Sequence, residues 1–427
     1  MKVRVFHDTY GFVRNIDVTD RPCPAITCQP NHYQVRIEGG ALMEMKIKEF
    51  GKREQDGMKT IDLDTDPAPS IMAHGLGGVS HSQYYLEGES SSIPTPADKP
   101  PYSVPTMDQV RAVPWNGLTV ASTFSGGGGS STGYRMAGYK VLWASEFIEA
   151  ARKTYAANMN PDTVLDGRDI RTVEPESILD AIGMGPGELD LLDGSPPCAS
   201  FSTAGSREKG WGKVKKYSDG TQRTDDLFFE FSRLIRGLQP KTFVAENVSG
   251  LVKGTAKGYF LEILADLKAC GYQVKCKVLD AQWLGVPQQR QRTIFVGVRN
   301  DIDFPPVHPS PLAYRYSVRD AIPEAMTVPY LTTGKQPVRR TARKPCPSVC
   351  SSNIGGAGNI VETKMEKRKF TIAELKRICG FPDDFILQGT YAQQWERLGR
   401  AVPPVMMSHI AAAIRDGILQ GSAACVD

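Results

Sequence analysis

No run of apolar residues in this 427-residue chain approaches the ~20 that a membrane-crossing helix needs. Its start, MKVRVFHDTY, lacks the apolar core of a secretion signal. The expected location is therefore the cytoplasm, with no membrane partner. Histidines number only six, and the nine cysteines, at 23, 28, 198, 270, 276, 346, 350, 379 and 425, form no C-x-x-C pair and no His/Cys cluster. No metal site is expected on that spacing, nor disulfides in a reducing compartment, whereas an odd count leaves room for one reactive thiol. An excess of one charge is also missing. The 51 Lys+Arg and 47 Asp+Glu leave a formal net charge of +4, which permits a nucleic-acid partner without arguing for one. What is present is a chain too long for one ordinary domain, 41% hydrophobic and 23% charged, with apolar material for two or three cores.

From about Leu118, short apolar runs alternate with helical stretches. VAST, VLWASEF, LDLLDGS, KTFVAENV, YQVKCKVLD and RTIFVGVR read as buried strands. DLFFEFSRLIRGL and YFLEILADLKAC read as helices, the second with Phe260, Ile263, Leu264 and Leu267 at helical spacing. This alternation predicts an α/β protein with a largely parallel sheet covered by helices. Residues 300–369 are rich in proline and glycine and carry the basic group Arg339, Arg340, Arg343 and Lys344. RKFTIAELKRICGF then reads as a helix entered through Thr371 and stopped at Gly380, and SHIAAAIRDGIL as a last helix capped by Ser408.

The first 116 residues differ again. IDVTDRPCPAI, from Ile16 to Ile26, aligns without gaps with IDLDTDPAPSI, from Ile61 to Ile71, and KPCPSV at Lys344–Val349 is a third echo. Spaced prolines favour an extended or turning chain, so the repeat is either a recurring turn unit or a chance pattern of turns. The serine- and proline-rich stretch from Glu87 to Pro105 reads as a linker.

TFSGGGG, residues 123–129, follows a strand and precedes a helix, where glycines let backbone N–H groups approach a ligand. Many nucleotide-binding folds share such a turn, and some glycine turns bind nothing. Glu146 ends the next strand, where a carboxylate can accept ribose hydroxyls, and Asp169 follows the third strand, in reach of an adenine amino group. Each acid alone reads equally well as a surface charge. GSPPCASFS, residues 194–202, is more specific: two prolines stiffen the chain at a strand end and aim Cys198, a nucleophile near neutral pH rather than an inert core thiol. AENV ends another strand, and Glu246 there can share a proton with a ring nitrogen. In QQRQR, Arg290 and Arg292 stand two apart, hence on one face of a strand, as a clamp for a carboxylate, phosphate or pyrimidine oxygen.

These stretches, with the RKFTIAELKRICGFPDDF segment and a closing GRAVPP, follow the order of the cytosine-5 DNA methyltransferases, and over residues 118 to 415 the chain resembles that family. The resemblance implies a doubly wound, mostly parallel seven-stranded class I methyltransferase sheet (117–299), a small inserted target-recognition domain (300–390) and a C-terminal return (391–427), behind an N-terminal extension (1–116). It implies S-adenosylmethionine as donor, double-stranded DNA as substrate, a monomer, and a bacterial or phage setting alongside restriction. Carried over by position, Cys198 adds to C6 of a flipped cytosine, Glu246 meets N3, Asn247 braces the loop, Arg290 steadies the pyrimidine carbonyl and Arg292 orients the glutamate. Phe124, Ser125, Gly126, Gly128, Glu146, Phe147, Asp169, Ile170, Pro196, Arg400 and Val402 hold the cofactor. Ser202, Arg207, Lys209 and Lys213 in the active-site loop, and Arg339, Arg340 and Arg343, meet DNA.

Three departures matter. Ala199 stands where the family often has a Gln that fills the space of the flipped base. Arg400 stands where the family has Asn. A guanidinium about 5 Å from a sulfonium is repelled by roughly 3 kcal/mol at an effective dielectric of about 20. Pointing inward, Arg400 suits carboxy-S-adenosylmethionine and a 5-carboxymethylcytosine product; pointing outward, it meets a phosphate or an acidic neighbour. The insert is also short, so the first 116 residues are a candidate second module for reading DNA. The rival functions are a tRNA cytosine-5 methyltransferase and a DNA-binding paralogue without activity. A nicotinamide dehydrogenase would leave PPC and ENV unexplained.

Overall fold

The computed structural model describes residues 99–197, 226–252, 257–331, 337–351 and 360–421, together with the backbone of short strands before residue 99 and within 215–222. The chain divides into two compact units, Met1–Pro94 and Thr95–Asp427.

The first unit is internally repeated. Lys2–His7 lies between Val13–Asp17 and Tyr33–Glu38 in one antiparallel sheet. Lys46–Phe50 lies between Ile61–Asp62 and Gln83–Glu87 in another, with the same order of strands. The remaining strand of each set, Ile26–Thr27 and Ile71–Met72, pairs in parallel with its counterpart, Ile26 against Ile71. These are the closing isoleucines of the two aligned proline segments. Each aligned segment thus begins in the second strand of its set and ends in the third.

In the second unit, β1 (Thr119–Thr123), β2 (Lys140–Ser145), β3 (Val164–Asp166), β4 (Leu191–Gly194), β5 (Thr242–Val248), β6 (Tyr272–Asp280) and β7 (Gln291–Arg299) form one sheet in the order β3-β2-β1-β4-β5-β7-β6. All neighbours are parallel except β7, which is antiparallel to both β5 and β6. Helices α1 (Met107–Ala112), α2 (Gly129–Met136), α3 (Glu149–Ala156), α4 (Pro175–Ile182), α5 (Leu227–Leu238) and α6 (Lys257–Ala269) precede or alternate with the strands. Leu227, Phe228, Phe231, Leu234, Ile235 and Leu238 recur three or four apart along α5 and are all buried, in a core with Phe243 and Phe295 of the sheet. Each such side chain contributes about 1.5–3 kcal/mol. The opposite face of the sheet packs on α2 and on α10 (Pro404–Ile414) through Tyr134, Met406, Met407 and Ile410. Covering both faces is why the central strands read as unbroken apolar runs.

Strand β6 departs from that expectation. It is the sheet edge, and its exposed Gln273, Lys275 and Lys277 alternate with half-buried residues, as an edge with one neighbour allows. The last helix also starts earlier than expected. It begins at Pro404, where a missing N–H costs nothing, and Ser408 lies a turn inside, its Oγ donating to the Val405 carbonyl.

A third core unites α7 (Val318–Ala321), α8 (Ile372–Ile378), α9 (Tyr391–Arg400) and a small antiparallel sheet of β8 (Thr327–Leu331), β9 (Pro337–Thr341), β10 (Ile360–Glu362) and β11 (Lys367–Lys369), ordered β9-β8-β10-β11. Thr371 caps α8 in a reciprocal box with Glu374. Residues 99–107 belong with this core and not with the N-terminal extension. Met107 is buried in it, Lys99 pairs with Asp320 at 2.9 Å, and Tyr102 donates to the Arg377 carbonyl. The expected boundary at 116 therefore moves to 94. Among the described residues no helix is long and apolar enough to cross a membrane.

Candidate active site

At the carboxyl end of β1 the chain turns sharply through Phe124 (φ +52°) and Gly126 (φ +56°) into α2. A Cβ placed on Gly126 would meet nothing within 4 Å, so the loop opens onto free space. Glu146, at the end of β2, is 9% exposed, and both its oxygens accept backbone N–H groups, from Gly126 at 2.8 Å and Ile148 at 2.7 Å. Burial raises its pKa, while those two bonds and the fields of Arg397 and Arg152 oppose the rise. Phe147, next in the chain, is exposed, and a flat apolar face there can meet an aromatic ring. Asp169 is half-buried and held by Arg171, whose guanidinium also grips Asp226 at the start of α5. An open glycine turn flanked by a buried acid and an exposed ring fits an adenosine-bearing cofactor.

Some expected cofactor residues are instead internal. Ser125 is turned inward: its Oγ donates to the Ser122 carbonyl at 2.8 Å. Ile170 and Val402 are core residues, 4% and 5% exposed. Pro196 is buried, Gly128 caps α2 without a side chain, and the Val402 carbonyl abuts Gly129 in the first turn of that helix.

Cys198 lies outside the described residues, as do Ser202, Arg207, Lys209 and Lys213. The turn that leads into Cys198 is described. The carbonyl of Pro196 accepts Asn247 Nδ2 at 3.2 Å, and Asn247 Oδ1 accepts its neighbour's N–H from Val248. Glu246, beside Asn247 on β5, pairs with Arg292 of β7, Nε to Oε1 at 2.7 Å. The register explains the meeting: Arg292 is opposite Val248, which points to the same face as Glu246 two residues before it. The two side chains are only 13% and 10% exposed, so the pair is largely dry, and losing one partner strands a buried charge at about 3–5 kcal/mol.

Arg290 does not share that role. It precedes β7 and is 1% exposed, and it donates to the carbonyls of Val349 at 3.0 Å and Gly399 at 2.8 Å. Burial, then the nearby charge of Arg292, pulls its pKa down to about 9, so it stays a cation near neutrality. In this structure Arg290 is a clamp between the small domain and the end of α9. That junction is tight, because a Cβ on Gly399 would collide with the backbone of Cys350 and Ser351.

Two buried ionisable groups were not anticipated. Asp193 on β4 is 1% exposed and accepts Ser122 Oγ at 2.8 Å and Tyr134 Oη at 3.1 Å. Burial, with a smaller contribution from Glu246, lifts its pKa to about 7. An acid inside the apolar run LDLLDG was the available signal. Arg397 on α9 is 8% exposed, and its Nε and Nη2 have no hydrogen-bond partner. Its position between Trp395 and Leu398, both buried, was the signal there. Arg400 lies on the outer side of the same helix, 41% exposed, with Nε 2.9 Å from Glu396 Oε1, the acidic neighbour of the outward alternative. Of the basic group in the small domain, Arg340 donates to Gln289 Oε1 at 2.6 Å, Arg343 is exposed, and Arg339 lies in β9.

The profile of the C-5 cytosine-specific DNA methylase family matches residues 118–328 and 312–416. The type II methyltransferase M1.HphI of Haemophilus parahaemolyticus is 32% identical over 339 residues, which cover 70% of this chain and 86% of that protein. The type II methyltransferase M.NgoPII of Neisseria gonorrhoeae is 28% identical over 354 residues, covering 72% and 98%. Among solved structures, a prophage-encoded DNA modification methyltransferase from E. coli superposes with a TM-score of 0.52 at 20% identity, covering 70% of this chain and 99% of the other. A Spodoptera frugiperda DNMT2 variant gives 0.52 at 18%, covering 68% and 97%. At those identities the likeness speaks for the fold.

Proposed function

Since the chain belongs to the C-5 cytosine-specific DNA methylase family and is a DNA (cytosine-5-)-methyltransferase, we propose that Cys198 is its nucleophile and Glu246 the acid that meets the target base. The observation that carries this reading is the Glu246–Arg292 pair beside the Asn247–Pro196 bond, a held carboxyl next to the turn that enters Cys198.

The family implies S-adenosylmethionine as donor. The target cytosine must first leave the duplex stack, at a cost of a few kcal/mol. Cys198 sulfur then adds to C6, and Glu246 offers a proton at N3, which takes up the charge pushed into the ring. C5 takes the electrophilic methyl group that the bound donor supplies, H5 leaves to a base, and Cys198 departs as the double bond re-forms. Arg292 fixes the rotamer of Glu246, and Asn247 fixes the backbone before Cys198. Phe124, Gly126, Glu146, Phe147 and Asp169 line the donor site.

With Arg400 held to Glu396 on its own helix, its charge is balanced, and the plain methyl donor is the better reading than the carboxylated one. Target choice is assigned to the small domain and its Arg343. Residues 1–94 hold ten Lys and Arg against thirteen Asp and Glu, which disfavours phosphate contact by that unit. The substrate is double-stranded DNA, and on the names of its relatives the enzyme serves as the modifying partner in a type II system. Mass spectrometry of nucleosides from duplex DNA and from tRNA, each incubated with the enzyme and S-adenosylmethionine, tests the reading. It stands on 5-methylcytosine in the DNA and falls if that base forms only in tRNA or in neither.

A further inference from the structure

Gln282 and Gln289 carry two arginines between them. Gln282 Oε1 accepts Arg315 Nη1 at 3.3 Å and Gln289 Nε2 at 3.3 Å, and Gln289 Oε1 accepts Arg340 Nη1 at 2.6 Å. The inner end of this bridge is anchored. Gln282 Nε2 donates to Asp280 Oδ2 at 2.9 Å, and Asp280 Oδ1 accepts the Arg290 N–H at 3.1 Å. Arg315 is exposed, and its guanidinium lies over the Trp283 ring, 4.5 Å from the centre. Arg340 is half-buried. The amide oxygens that hold the two arginines are neutral, so the bridge fixes their positions without cancelling their charge.

The bridge stands beside the catalytic pair. β7 is antiparallel to β5, so its first residues lie at the carboxyl edge of the sheet, where β5 brings Glu246. β6 ends at the same edge, and Leu279, the residue before Asp280, is opposite Arg292. One strand spacing, about 5 Å, therefore separates the start of the bridge from the strand that carries Arg292. Arg340 comes from β9 and Arg315 from the segment before α7, so the small domain brings both cations to this edge.

We propose that Arg315 and Arg340, spaced by the Gln282–Gln289 bridge, form a clamp for backbone phosphates of the duplex next to the flipped cytosine. This rests on duplex DNA being the substrate. A guanidinium fork matches phosphate oxygens, and two forks at a fixed spacing grip a polyanion that passes along the edge. The clamp positions the strand and reads no base, so target choice stays with other residues of the small domain.

Fluorescence anisotropy across a salt series tests this on the full chain. One labelled duplex bears a site that the enzyme methylates, and in the other that site is scrambled. Arg315→Gln and Arg340→Gln should each weaken both duplexes by the same factor, about fivefold to fiftyfold, and lower the slope of log affinity against log salt by about one. Arg315→Lys and Arg340→Lys should keep the slope and recover part of the affinity. The affinity for S-adenosylhomocysteine and the Tm should stay near wild type, and kcat at saturating DNA should change by no more than a few-fold. An unchanged salt slope in both glutamine variants, or a loss confined to the duplex that bears the site, overturns the proposal. Wild type that binds neither duplex would instead overturn the reading of DNA as the substrate.

Discussion

Arg292 Nε lies 2.7 Å from Glu246 Oε1, in a pair only 13% and 10% exposed, and this contact sets the direction in which the glutamate can reach. Arg292→Ala should therefore lower kcat by at least a hundredfold, with a smaller change in DNA affinity, and Arg292→Lys should recover only part because a point charge replaces a planar donor. Single-turnover methylation and DNA-binding assays on the same preparations separate the two effects.

Arg290 should behave oppositely. Arg290→Met leaves the buried carbonyls of Val349 and Gly399 unpaired, at about 1–3 kcal/mol each, so Tm should fall by several degrees. Gly399→Ala should act the same way, through collision with the backbone of Cys350. In both variants the turnover of the molecules that remain folded should stay within a few-fold of wild type, measured well below the new Tm.

Asp193 makes stability depend on pH. Its pKa stands at about 7 in the fold against an ordinary 3.8, so the folded protein holds this proton where the unfolded chain has lost it. Its contribution is neutral below pH ~4, where both states are protonated, becomes steadily more destabilising between pH ~4 and ~7, and is constant above that. At about 1.4 kcal/mol per unit the ceiling is about 4 kcal/mol. Asp193→Asn should thus raise Tm at pH 8 and leave it nearly unchanged near pH 4, read by thermal melts across that range.

The donor is tested at Arg400. Given S-adenosylmethionine and carboxy-S-adenosylmethionine in turn, the enzyme should yield 5-methylcytosine and no 5-carboxymethylcytosine, and Arg400→Asn should change the methyl rate by only a few-fold. A carboxymethylated product that disappears in Arg400→Asn would show that Arg400 leaves Glu396 to select the donor.

Removal of residues 1–94, a compact unit of its own, should leave cofactor affinity and the identity of the methylated site unchanged. Methylation mapped across a plasmid by bisulfite sequencing reads this out. A relaxed or lost site preference would return target reading to the N-terminal unit.

The fold was legible because both faces of the central sheet are covered, so β1, β4, β5 and β7 print their burial as continuous apolar runs. Edge strand β6 was read as buried because its alternation of lysines with Val274 and Cys276 is weak beside its overall hydrophobicity. Glu246, Arg292 and Asn247 were legible from local motifs, as each meets a partner fixed by sheet register. The division of labour between Arg290 and Arg292 was not, because it depends on Val349 and Gly399, distant in sequence, arriving as acceptors. Arg397 and Asp193 escaped for a related reason: a buried charge is visible only once its lack of partners, or its hydroxyl partners, can be seen. The boundary at 94 depended on hydrogen bonds of Tyr102 and Met107 to residues 275 and 277 positions away, beyond the reach of composition.

The central claim, attack by Cys198 on C6 of a cytosine in DNA, is tested most directly with duplex DNA carrying 5-fluorocytosine at a methylated site. Fluorine at C5 cannot leave as a proton does, so the adduct persists after methyl transfer. With S-adenosylmethionine present, the account predicts a protein–DNA complex that survives denaturing electrophoresis for wild type and is absent for Cys198→Ser. Wild type that binds this DNA and the donor yet forms no such complex, or Cys198→Ser that still forms it, would contradict the account.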